Sequence, residues 1–179
     1  AHNVVMNYVT LIFMIPVGLA NALMVRVGQA MGELGAAEAR FRGLVGIGVA
    51  SGAMSVSSLV IVMFPNAIIG LYPAASAVSP MASVLLVCAA LFQLSDGIQI
   101  TSAGALRGLQ DTTVPMFLSG GAYWLVGVPT SWWLGIYLER GPFGLWLGLI
   151  IGLTVAATLL GRRFLLKSGR VARRQGLES

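Results

Sequence analysis

Between Arg42 and Asp96 lie 53 residues without a single Asp, Glu, Lys or Arg. An ordinary soluble domain, with about 25% charged residues, would place roughly a dozen charges in a stretch of that length. A membrane span instead asks for about 20 apolar residues to cross ~30 Å of hydrocarbon, and this stretch accommodates two. The rest of the chain agrees: of 179 residues 57% are hydrophobic and only 9% charged, which excludes a soluble globular class. The single cysteine, Cys88, sits in an apolar run and excludes an internal disulfide or a cysteine-based metal cluster.

Breaking the apolar runs at charges and at Pro/Gly punctuation predicts five transmembrane helices, over residues 3–31, 39–64, 79–106, 113–138 and 143–166. The fold class is all-α and integral to the membrane, because the runs lack period-2 alternation and lipid demands that backbone groups pair within the segment. Residues 1–166 are read as one helical lobe and 167–179 as a basic tail. The net charge of +5 raises nucleic acid as a partner, but six of the eleven basic residues crowd into the segment from Arg162 to Arg174. A basic run after an apolar span marks the cytoplasmic side, so the bilayer and not nucleic acid is the expected partner.

With the first helix entering from outside, Arg26, Arg40, Arg42, Arg107 and the six tail residues fall inside and only Arg140 falls outside. The reverse topology would invert that ten-to-one ratio. Trp132, Trp133 and Tyr137 then lie at the outer end of the fourth helix, where amphipathic rings favour the interface. The expected location is a bacterial inner (plasma) membrane, multi-pass, with a cytoplasmic C-terminus. This topology puts Ala1 outside with no initiator Met before it, so the chain is expected to be the C-terminal part of a longer membrane protein.

An ionisable side chain at the centre of a span costs about 2.5–3.5 kcal/mol on insertion scales and is a functional candidate for that reason. Asp96 meets the description: it precedes Arg107 by 11 residues, roughly 16 Å along a helix. At 100° per residue Phe92, Gln93 and Gln99 lie within about 60° of it, giving one face with a carboxylate, two amides and a ring. Such a face suits a cation or proton; the alternative is a buried acid paired to a basic residue elsewhere. In the first helix Asn3, Asn7, Thr10 and Asn21 share a sector of about 60°. They either line an aqueous cavity or hold the bundle by interhelical hydrogen bonds, which average about 0.6 kcal/mol each. Pro16 breaks the backbone ladder there and is a hinge or a static kink.

Gly144, Gly148 and Gly152 form GxxxGxxxG, and Gly48/Gly52, Gly104/Gly108 and Gly28/Gly32 form single pairs. Small residues at this spacing let helix backbones approach closely, so all are expected to be packing faces. No GxxxxGK[ST], HExxH, GxSxG or CxxC occurs and the lone His2 has no partner suited to catalysis, so the sequence supports no enzyme and no cofactor.

The segments AHNVVMNYVTLIFMIPVGLANALMVRVGQAMGE, ALFQLSDGIQITSAGALRGLQDTTVPM, YWLVGVP and GLWLGLIIGL, taken in order, resemble the second half of a multidrug and toxic compound extrusion (MATE) transporter of the bacterial NorM-like branch. The resemblance implies five of the twelve helices of two pseudo-symmetric six-helix lobes, the eighth to the twelfth. The N-terminal lobe and seventh helix of the same protein are then expected partners. It implies export of cationic, lipophilic small molecules in exchange for Na⁺ or H⁺, the only ions expected to bind. The acid in the family pattern LFQLxDxxQ takes part in coupling-cation binding, and Asp96 occupies that position, as the Na⁺ ligand if the transporter is sodium-coupled. One departure stands out. Many relatives carry an acidic pair in a pattern like LFTDD, where this chain reads Leu71-Tyr72-Pro73-Ala74-Ala75, so a substrate contact by those acids is not implied. Two rivals remain: a lipid-linked oligosaccharide flippase of the same superfamily, disfavoured by the lack of mid-span Arg or Lys, and a non-transporting assembly module, which would leave Asp96 without a purpose.

Overall fold

A computed structural model describes residues 2–64 and 79–175. The segment Leu71–Ala75 and the expected external loop around it lie outside the described residues. Five helical runs follow one another, with no strand among the described residues: α1 (His2–Glu33), α2 (Ala36–Met63), α3 (Ser79–Gly108), α4 (residues 113–137) and α5 (Gly141–Gln175). Four of them, all but α4, are long and apolar enough to cross a membrane. The α4 run carries no charge and at about 1.5 Å per residue is also long enough to cross ~30 Å, but it is not a uniform α-helix. Its α-helical pieces Thr113–Gly121 and Val128–Trp132 alternate with π-helical turns at Ala122–Gly127 and Trp133–Tyr137. Pro129 has no N–H to offer the carbonyl of Leu125, and just before it the ladder widens to the i→i+5 bond from the Val128 N–H to the Tyr123 carbonyl.

Two boundaries differ from the sequence reading. The first two helices are separated by Leu34 and Gly35 alone, because Gly35 takes φ 92°, open to glycine at little cost, and reverses the chain in two residues. Within the stretch expected as a basic tail, α5 continues as far as Gln175. Arg, Lys, Leu and Ala are strong helix formers, and Leu160, Phe164 and Ser168, spaced by four, carry one fully buried stripe past the last apolar residue expected of the span. The Gln175 side chain accepts a hydrogen bond from the Ala36 backbone N–H at 2.6 Å and ties the end of α5 to the start of α2.

α3 occupies the middle, in contact with α1, α2 and α5, while α4 packs along α5. A cluster of Leu23, Val27, Ala39, Leu106, Leu160 and Phe164 joins α1, α2, α3 and α5 at the end of the bundle rich in arginine. Lipid tails are as apolar as these side chains, so what holds the helices is close packing and not transfer from water. A Cβ on Gly152 would come within 2.6 Å of the Gly127 Cα, and one on Gly148 or Gly144 would strike the backbone of Ser131 or Leu134, so α4 and α5 touch backbone to backbone. Gly104 and Gly108 do the same against Ala20 and Met24 of α1. The expectation fails for Gly48 and Gly52, which meet nothing within 4 Å. Their spacing is the same, but they lie on the exposed side of α2.

Asp111, buried in the turn between α3 and α4, accepts from Arg163 Nε at 2.9 Å and lies 3.3 Å from Lys167 Nζ, fastening that turn to α5. Trp124, Leu125, Trp132, Trp133 and Tyr137 point outward from α4.

Candidate functional site

Asp96 lies near the middle of α3 and is buried, 8% exposed. It makes no ion pair among the described residues, so the reading of a structural acid held by a basic partner finds no support here. Its surroundings follow from the helical wheel. On one side Ser95 bonds Thr154 of α5 at 2.9 Å, and Phe92 packs edge-on against Trp146 of α5 with centroids 5.9 Å apart. On the other, Gly97 lets Met54 of α2 lie against the α3 backbone, where a Cβ would approach it to 2.5 Å. On the helical wheel Asp96 lies between these two faces of α3.

The two amides expected beside it are both buried, but they diverge. Gln93 accepts from the Ser57 hydroxyl of α2 at 3.1 Å, and its Nε2 has no partner. Gln99 accepts from the Tyr123 hydroxyl of α4 at 2.6 Å, and Tyr123 is in turn within electrostatic reach of Asp96. The pair at ±60° from Asp96 is thus 120° apart, and each amide is claimed by a different helix. Gln99 belongs to the immediate electrostatic neighbourhood of Asp96, through Tyr123; Gln93 faces α2 and Phe92 is occupied with Trp146. A cavity of about 250 Å³ opens between α3 and α4, lined by Gln99, Ala103, Arg107 and Ser119 among others, and leads from the arginine end to the Gln99 amide. Among the described residues no three His, Cys, Asp or Glu side chains gather as a metal-binding set.

Pro16 lies inside α1 and is fully buried. Of the polar stripe, the side chains of Asn3 and Asn7 lie outside the described residues, while Thr10 and Asn21 are on the exposed surface of α1. Tyr123 and Ser57 were not legible beforehand. They are 24 and 36 residues from their glutamine partners in sequence, and helical periodicity reports faces of one helix, not which neighbour will supply a hydroxyl.

The MatE family model matches residues 1–133. A protein named probable multidrug resistance protein NorM, from Xanthomonas campestris pv. campestris, is 47% identical over 171 residues, covering 96% of this chain and 37% of the relative. The multidrug resistance protein NorM of Burkholderia vietnamiensis is 42% identical, over 94% of this chain and 37% of its own. The chain therefore spans little more than a third of the length of such relatives. Among solved structures, the eukaryotic MATE transporter AtDTX14 superimposes with TM-score 0.86 at 22% identity, over 97% of this chain and 40% of that one. An inward-facing multidrug resistance MATE family transporter of the MOP superfamily gives 0.79 at 18%, over 94% and 40%. At these identities the two structures speak for the fold.

Proposed function

The chain belongs to the MatE family, and on that premise we propose that it forms most of the C-terminal lobe of a secondary multidrug antiporter in a bacterial inner membrane, exporting cationic, lipophilic compounds against Na⁺ or H⁺. The reading is a transporter's and not an enzyme's: binding and release, with no covalent step. What carries it is Asp96, a carboxylate buried at mid-helix without an ion-pair partner among the described residues. In this reading Asp96 takes the coupling ion, with Gln99 and Tyr123 supplying neutral oxygens close by, while Gln93 and Phe92 hold α3 against α2 and α5. Occupancy of the acid biases the lobe between outward-open and inward-open packing, and an ion shifts that balance only by its difference in affinity for the two states. Pro16 serves as the hinge, and Asn3, Asn7, Thr10 and Asn21 line the cavity shared with the other lobe and the helix that precedes α1. Reconstituted in proteoliposomes, the complete transporter is expected to move a fluorescent lipophilic cation when a Na⁺ or pH gradient is imposed. Transport driven by neither gradient would refute the antiport reading.

The proposed orientation sets the end of the bundle holding Arg26, Arg40, Arg107 and the last turns of α5 in the cytoplasm. Ser168 is fully buried and useless as a reporter, so the test uses the exposed Arg140 and Arg174 in a background lacking Cys88. A membrane-impermeant maleimide applied to intact spheroplasts is expected to label Arg140→Cys and spare Arg174→Cys. The opposite pattern overturns the orientation.

A further inference from the structure

Three arginines from two helices converge on one cavity with no acid in its lining. Arg40 of α2 and Arg170 and Arg173 of α5 surround a space of about 250 Å³ whose remaining walls are Leu165, Leu166 and Gly169. Gly169 admits the Arg40 guanidinium against the α5 backbone, since a Cβ there would be 3.2 Å from Arg40 Nη1. Among the described residues the carboxylates at this end are engaged elsewhere or exposed: Glu38 pairs with Arg42 at 2.8 Å, Asp111 with Arg163 and Lys167, and Glu33 points outward. None of the three arginines has a carboxylate partner among the described residues. Converging guanidiniums without a counter-ion repel one another, and a tetrahedral oxyanion accepting their forked donors relieves that repulsion.

The floor of the cavity identifies the source of the anion. Leu165 and Leu166 are 45% and 51% exposed, which marks this level of α5 as still in reach of acyl chains. Residues 169–173 stand one to two helical turns above, at about 5–10 Å, a height that matches the headgroup layer of a bilayer whose hydrocarbon is ~30 Å and whose full thickness is about 40–45 Å. An apolar floor beneath three cations is the profile of a phospholipid and not of a free ion.

We propose that Arg40, Arg170 and Arg173 form a binding site for the phosphate group of an anionic membrane phospholipid, with its acyl chains descending over Leu165 and Leu166. The site is separate from Asp96, and its test does not depend on the coupling reading. The complete transporter in a neutral detergent is titrated with short-chain phosphatidylglycerol while its thermal stability is followed, with phosphatidylcholine and inorganic phosphate as further probes. The variant Arg40→Gln/Arg170→Gln/Arg173→Gln is compared with Arg140→Gln/Arg162→Gln/Arg174→Gln, which removes the same charge elsewhere. Phosphatidylglycerol is expected to stabilise the native protein and the control alike, and to require about tenfold or more higher concentration in the site variant. Should the triple variant fail to fold, Arg170→Gln alone is expected to shift the titration in the same direction. An equal loss in the control would show diffuse attraction in place of a site, and stabilisation by inorganic phosphate alone would show a free-anion site; either overturns the proposal.

Discussion

Asp96→Asn in the complete transporter is expected to reduce gradient-driven efflux to background while the protein remains folded and inserted. Asn keeps the size and polarity of the side chain and cannot carry its charge, so the substitution separates electrostatics from packing. Packing should tolerate the exchange, because Asp96 holds no ion-pair partner that would be stranded among the described residues. The coupling ion should not tolerate it. Two unit charges about 4 Å apart at an effective dielectric of about 20 attract by ~4 kcal/mol, so losing one weakens cation binding by roughly 1,000-fold. Drug binding measured without a gradient is expected to survive, since only the coupling is removed. If efflux under an imposed Na⁺ or pH gradient runs at the native rate with Asn at position 96, the acid is structural and the coupling site lies in the part of the transporter beyond this chain. Tyr123→Phe offers a graded companion: it frees the Gln99 amide without touching the carboxylate and should slow coupled efflux less than Asp96→Asn does.

Asp96 was legible in the sequence because the cost of a charge in hydrocarbon is a property of one residue and its depth, and depth can be counted from Arg107. The number of helices was legible for a similar reason, since lipid permits few alternatives to an uninterrupted helix. What escaped depends on neighbours. The wheel put Gln93 and Gln99 on one face with Asp96, yet a sector of 120° on a central helix is wide enough to address two different helices, and Ser57 and Tyr123 draw the amides apart. The end of α5 escaped because a span is counted in apolar residues, whereas helix formation continues through Arg and Lys as long as one stripe stays buried. Leu160, Phe164 and Ser168 supply that stripe. The π turns of α4 were not read from the sequence: Pro129 lacks an N–H, but a missing donor disturbs the ladder without fixing its form.

The glycine motifs show most sharply where spacing stops being informative, and they set the largest expected effect on assembly. Gly148→Leu is expected to abolish or severely reduce the yield of folded transporter, and Gly48→Leu, the same change in the same GxxxG spacing, is expected to leave it near native. At Gly148 even the first added carbon meets the backbone of Ser131, and backbone cannot rotate away as a side chain can. Relief requires α4 and α5 to separate along the line from Gly144 to Gly152, and the bond from the Ser131 hydroxyl to the Leu145 carbonyl, 3.2 Å long, would break with it. Overpacking of this kind costs about 1–3 kcal/mol when neighbours can yield and more when they cannot, so Gly148→Ala already tests the geometry within a measurable range. At Gly48 the position of a Cβ has nothing within 4 Å, and replacing glycine in a helix interior gains up to about 1 kcal/mol of propensity. Melting temperature and monodisperse yield in detergent decide between the two sites. Equal behaviour of Gly148→Ala and Gly48→Ala would mean that α4 and α5 do not meet at their glycines, and with that contact would go the alignment that holds Tyr123 beside Gln99.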